Sequence, residues 1–169
     1  MKSILAIFAL IAIAALSTPG QQMPRQDPLL DHMTGNWVLQ GMINGRASTH
    51  DVQGSWVLGH QYVILHETSR ENDAQGQPAY EAFILIGWDY LSSEYTCLLL
   101  DSGSSDGLAA KSIAHAKPNG DEIPFVFAGA GNFHSTLTYN KGADSWQWNL
   151  DSESGGKLSP FARLKLTRK

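Results

Sequence analysis

Apolar positions along this chain fall into three successive patterns. From Ile4 to Leu16 they are almost unbroken. From Asp27 to Gly35 they recur at helical spacing. Asp27-Pro28 reads as an N-cap followed by proline at the first helical position, where its missing N–H costs nothing. Leu29, Leu30 and Met33 share one face, and Gly35 suits the position just past the end, which predicts a helix of about two turns. From Gly35 onward the period is two. It predicts strands over 35–43, 52–68, 80–89, 94–101, 108–116, 123–128, 133–139, 145–150 and 161–168. Asn44-Gly45, Pro118-Asn119-Gly120, Asn140-Lys141-Gly142 and Ser154-Gly155-Gly156 supply turns between them. The long strand over 52–68 is expected to bend at Gly59, because a glycine inside a strand often marks a bulge. Turn signals recur about every ten residues, which predicts an all-β chain. An antiparallel up-and-down β-barrel of the lipocalin-like kind, with a short N-terminal helix, is expected in preference to a sandwich. Closing the last strand onto the first leaves no exposed edge.

The first apolar run has a different meaning. Met1-Lys2 is a basic start, the run follows, and Ser17-Thr18-Pro19-Gly20 is small and turn-forming, the layout of a secretory signal peptide. The run is shorter than the roughly 20 residues that cross a bilayer as a helix. The expected organisation is a signal peptide over 1–20, a flexible segment over 21–26 and one barrel domain over 27–169. The mature protein is expected to be secreted or periplasmic, without stable membrane insertion. Its N-terminus should fall between Thr18 and Met23, and an intact mass of exported protein that retains residues 1–16 would contradict this. Lys and Arg number 12 against 16 Asp and Glu, and no basic stripe is present, which argues against nucleic acid as a partner. Cys97 is the single cysteine, so an exported chain must hold together without an internal disulfide. Its place in the apolar run over 95–100 predicts a buried, inert thiol.

Gly35-Asn36-Trp37, at the start of the first strand and just behind a short helix, resembles the Gly-x-Trp opening of the lipocalin and calycin superfamily. That resemblance implies a helix plugging one end of the barrel and a tryptophan packed there under a basic residue of the last strand. Arg163 is the expected partner, with Lys165 second. A closer likeness is to an exported bacterial family of unknown function with a lipocalin-like fold. It rests on Leu30 to Trp37, Val57-Leu58-Gly59, Gly87-Trp88-Asp89, Tyr95 and Asp101-Ser102, across the first two thirds of the mature chain, and departs from the family pattern at His60. It implies a fold and no activity. The haem-binding nitrobindin-type barrel carries its axial histidine on the final strand. Phe161-Ala162-Arg163-Leu164-Lys165-Leu166 has none, so haem bound that way is not expected.

Candidate chemistry is sparse. Along an unbroken strand, Trp56, Leu58, His60, Tyr62, Ile64 and His66 share one face, and a bulge at Gly59 would swap the faces partway. Aromatic area with a few polar tips suits a ligand cavity, although histidines at such positions equally often face solvent. The candidate ligand-binding residues are His60, Tyr62, His66, Tyr95, His134 and Trp148, with Trp56, Trp88 and Trp146 as further candidate lining. His66-Glu67 and His134-Ser135 are adjacent along strands and project to opposite faces, so neither is a simple catalytic pair. His-Glu-x-x-His and phosphate-binding glycine loops are absent from the sequence. His60 and His66 stand too far apart to chelate one ion, and His50, His115 or His134 would have to be recruited from other strands. No catalytic residue, metal or cofactor is therefore assigned. The leading expectation is non-catalytic binding of a small, largely apolar ligand inside the barrel. The alternatives are an enzyme using cavity His and Tyr as acid–base groups, and an envelope interaction protein with a filled barrel. Residues 82–100 are apolar on both faces, Phe83 and Leu85 on one and Ile84, Ile86 and Trp88 on the other. The surplus face would meet the N-terminal segment or a partner subunit, which leaves a homodimer open.

Overall fold

The computed structural model describes residues 27–104, 108–129 and 131–169. The signal-peptide and flexible-segment readings for 1–26 lie outside the described residues. Among the described residues, ten antiparallel strands close into one barrel in chain order, the last pairing with the first. They are β1 (Gly35–Ile43), β2 (Arg46–Val57), β3 (Tyr62–Ser69), β4 (Glu81–Asp89), β5 (Glu94–Asp101), β6 (Ile113–Ala116), β7 (Glu122–Phe127), β8 (Phe133–Asn140), β9 (Ser145–Ser154) and β10 (Lys157–Arg168). The up-and-down barrel expected from the period-two pattern is present, and β1, β5 and most turns fall where that pattern puts them. Asn44 and Gly45 take φ of 47° and 77°, the left-handed pair that a two-residue hairpin matching the strand twist requires.

Several elements differ from expectation. The segment over 52–68 is two strands and not one bent strand, because the chain reverses between Val57 and Tyr62. Leu58, Gly59 and His60 all adopt positive φ, and the Gln61 N–H donates to the Val57 carbonyl at 3.2 Å. Only one of these turn residues is a glycine, and none is Asn, Asp or Pro, so the apolar pattern reads straight through the reversal. The stretch over 108–116 contains a short 3-10 turn, Ala110–Ser112, before β6. Finally, β9 and β10 extend farther than expected, to Ser154 and from Lys157. The outer half of β10 is largely exposed and that of β9 is half-buried and polar beyond Leu150, so neither carries an alternating apolar signal.

The helix α1 (Pro28–Asp31) is one turn rather than two. Asp27 caps it as expected, accepting from the Leu29 and Leu30 N–H groups at 2.9 and 3.3 Å. Leu30 and Met33 are buried in the barrel mouth, while Leu29 packs at its edge. Four aromatic donors from four strands tie this segment down. Trp37 Nε1 donates to the Met33 carbonyl at 3.0 Å, and Trp146 Nε1 to the His32 carbonyl at 3.2 Å. Trp56 Nε1 donates to Asp31 at 2.7 Å, and the Tyr95 hydroxyl to Asp27 at 2.8 Å. One end of the barrel is thus closed by apolar plugging and by satisfied indole and phenol donors.

Trp37 lies under a basic residue of the last strand, but that residue is Arg168. Its guanidinium carbon stands 3.7 Å from the ring centroid, and it also bonds the Thr34 carbonyl and pairs with Asp144 at 2.8 Å. That pairing holds the Asp144 carboxyl below its ordinary range. Arg163 and Lys165 are excluded by strand parity: Ala162, Leu164 and Leu166 are buried, so the residues between them point outward. Arg163 pairs with Asp151 on the outside. Inside, Cys97 is buried and burial pushes its thiol up to about 12, so it is held as an unreactive thiol. On the outer surface Phe83 is 43% exposed and Ile113 41%, with Leu98 paired to both Leu85 and Ile113. The surplus apolar face of residues 82–100 is therefore external.

Candidate functional site

Opposite the plug, the barrel opens into a cavity of about 500 Å³, within the 300–1,000 Å³ typical of small-molecule sites. Strand direction explains its position, because it is walled by the end of β1, the start of β2, the ends of β3 and β5, the residues leading into β4, the start of β8 and the middles of β9 and β10. Its lining is two-sided. Leu99, Phe133, Trp148, Leu150, Phe161 and Leu164 form an apolar wall, and Ser48, His50, Glu67, Ser69 and Tyr80 form a polar one. Arg46, Glu71 and Asp101 also line it. Deeper in the barrel the packing is tight, leaving only about 30 Å³ among Leu65, Ile86, Cys97, Phe125 and their neighbours.

The polar wall is a product of the β2–β3 hairpin. Even-numbered residues of β2 point inward, which puts Ser48 and His50 on the same face two positions apart. In β3 the inward residues are odd-numbered, and the pairing of Val52 with Glu67 sets Glu67 diagonally beside His50. His50 and Glu67 are 3% and 4% exposed. His50 Nδ1 is hydrogen-bonded to Glu67 Oε1, and His50 Nε2 to Ser48 Oγ at 2.7 Å. Buried charge requires a partner of this kind. Tyr80 faces the same space, its ring centroid 5.7 Å from that of His50. Burial, followed by the Glu67 and Asp101 carboxylates, raises its hydroxyl above the ordinary phenol range, so it stays protonated and is a hydrogen-bond donor at neutral pH.

Of the six residues expected to bind ligand, Trp148 lines this cavity, its Nε1 donating to Ser135 Oγ at 2.8 Å. The other five lie elsewhere. His60 sits in the β2–β3 turn, 5.8 Å from the Trp56 ring. Tyr62 is on the outer face, where its ring covers Gly87: a Cβ there would meet Tyr62 Cδ1 at 2.4 Å. His66 also points outward, stacked on Phe83 at 4.4 Å and bonded to Glu81 at 2.6 Å. Tyr95 is inside, but at the plugged end with Asp27. His134 is on the outer face of β8, bonded to Glu153 at 2.9 Å. Trp56 and Trp146 belong to the plug, and Trp88 packs edge-on against Tyr95 at 5.1 Å.

Sequence reasoning does not select Ser48, His50, Glu67 or Tyr80 as ligand-site residues: it weighs His50 only as a metal ligand and Glu67 only as a partner of His66. Ser48 and His50 lie in a segment, 46–51, that has too few apolar residues to read as a strand, and Glu67 follows the unseen turn. A signal was present in the alternation of Ser48, His50, Val52 and Gly54, but inward polar residues look like an exposed face. Among the described residues, no three His, Cys, Asp or Glu side chains converge as a metal-binding group, and no helix is long and apolar enough to cross a membrane. No known protein-family model matches the chain, and no curated protein matches it.

Proposed function

We propose that the protein binds one small molecule with an apolar body and a single neutral polar group in the open half of its barrel. The observation that carries this reading is the two-sided lining of the 500 Å³ cavity. Trp148, Phe133 and Phe161 offer apolar area on one side, while Ser48, His50 and Tyr80 offer hydrogen-bonding tips on the other. Small-molecule pockets have this composition, with contact area for affinity and a few polar groups for orientation. Charge narrows the class. Glu67, Glu71 and Asp101 outnumber Arg46 around the cavity, so an anionic ligand meets like charge. A strongly cationic one would have to shed its hydration among apolar side chains. The signal-like N-terminus supports a secreted or periplasmic place of action.

Calorimetric titration with medium-chain alcohols and methyl esters tests the reading. Binding should saturate at about one ligand per chain, with a negative heat-capacity change from buried apolar surface. Alkyl phosphates and alkyl trimethylammonium salts of the same chain length should bind more weakly. Equal binding of all three classes would defeat the assignment of the polar wall.

A further inference from the structure

We infer that Ser48, His50 and Glu67 form a nucleophile–base–orienter triad, and that the molecule held in the cavity is turned over as a carboxylic ester by hydrolysis. This rests on the cavity-binding reading above and goes beyond it to a reaction. The connectivity is the argument. An ionised Glu67 carboxylate only accepts hydrogen bonds, so the hydrogen between it and His50 belongs to Nδ1. A neutral imidazole with hydrogen on Nδ1 has its lone pair on Nε2. The Ser48 hydroxyl, 2.7 Å from Nε2, is then the donor, with its proton already aimed at the base. Such a triad is recognised by the roles and geometry of its members rather than by their order in a chain. Placing serine and histidine two residues apart on one strand satisfies those roles through strand periodicity alone.

The surroundings suit acyl transfer. His50 and Glu67 are buried, and with both ring nitrogens hydrogen-bonded the imidazole's orientation is fixed. Ser48 is only partly buried and lines the cavity, so its oxygen is accessible to a bound molecule. Tyr80 lines the same cavity as a protonated phenol, able to donate to an oxygen on which negative charge develops. The apolar wall would take the acyl or alkyl arm of a neutral ester.

The steps balance without a further reactant. Ser48 Oγ bonds to the ester carbonyl carbon as its proton passes to His50 Nε2. The carbon–oxygen bond to the alcohol then breaks, and the alcohol leaves with that proton. Water attacks the acyl carbon, giving a proton to Nε2. The acid departs as Ser48 Oγ recovers its hydrogen from His50, while Glu67 remains ionised throughout.

The test uses an alkyl p-nitrophenyl phosphonate, which traps an activated serine, together with p-nitrophenyl butyrate and octanoate as substrates. One p-nitrophenol should be released per chain on labelling, and peptide mapping should place the phosphonate on Ser48. Ester hydrolysis should fall about 100-fold or more in Ser48→Ala and in His50→Gln, with cooperative unfolding confirming that both variants fold. If the wild-type protein binds medium-chain esters in the calorimeter yet takes no label at Ser48, the triad is wrong and the binding reading stands. Failure to bind any neutral apolar compound would remove the binding reading itself, and the triad inference with it. Hydrolysis undiminished by Ser48→Ala would equally overturn the triad.

Discussion

Trp37→Ala should destabilise the fold by about 3–5 kcal/mol, the usual cost of deleting a fully buried aromatic. Trp37 is 1% exposed, and its loss removes three supports of the plug together. The core contacts of the ring disappear, the Met33 carbonyl loses its indole donor, and the Arg168 guanidinium loses the ring face beneath it. Arg168→Ala should cost less, about 1 kcal/mol, because a partly exposed cation–π contact contributes about 0.5–1 kcal/mol. Arg163→Ala should cost less again, since its pair with Asp151 lies on the outer surface and exposed pairs contribute little. Urea midpoints of the three variants supply the ranking, and the double variant Trp37→Ala/Arg168→Ala should be less destabilised than the sum of its parts. Additive costs would show that Arg168 is not coupled to the tryptophan.

Gly54→Val should be nearly as disruptive, for a steric reason. Gly54 lies beneath the plug, where an added Cβ would stand 2.0 Å from the Met33 carbonyl oxygen and 3.1 Å from Leu65 Cδ2. The first of these neighbours is backbone and cannot rotate away, so the plug segment itself must lift. Overpacking of this kind typically costs 1–3 kcal/mol, and lifting Met33 also strains its bond to Trp37. Differential scanning calorimetry of Gly54→Val should show a clear fall in Tm. Gly142→Ala is the control, because its added carbon meets only Asn140 Oδ1, at an ordinary 3.6 Å. A Tm for Gly54→Val equal to that of the control would mean that the plug does not sit on β2.

These two positions also show how legible the fold was. Trp37 stands out in the sequence because a helix cap, a glycine and the first alternating strand converge on it, each read from local chemistry. Gly54 does not stand out, since its role is to be absent beneath a carbonyl twenty-one positions earlier. Parity made the same difference at the other end of the chain. Arg163 and Arg168 both occupy the last strand, and only the knowledge of which residues point inward separates them. For the site, the decisive obscurity was the reversal at Leu58–Gly59–His60. Left-handed conformations at a leucine and a histidine carry no compositional mark, so His60, Tyr62 and His66 read as one continuous cavity wall. The true polar wall, Ser48, His50 and Glu67, is assembled by cross-strand pairing. Trp148 was legible because its inward phase survives without that hairpin.

The central claim, that the open half of the barrel holds a small apolar molecule, is tested most directly by quenching with a brominated medium-chain alcohol. Bromine quenches tryptophan at contact, and of the five tryptophans Trp148 is the one that lines the cavity. Fluorescence should fall saturably, at about one alcohol per chain, and Trp148→Phe should abolish the fall while the protein still unfolds cooperatively. A signal that never saturates, or quenching that persists undiminished in Trp148→Phe, would place the ligand elsewhere and contradict the account.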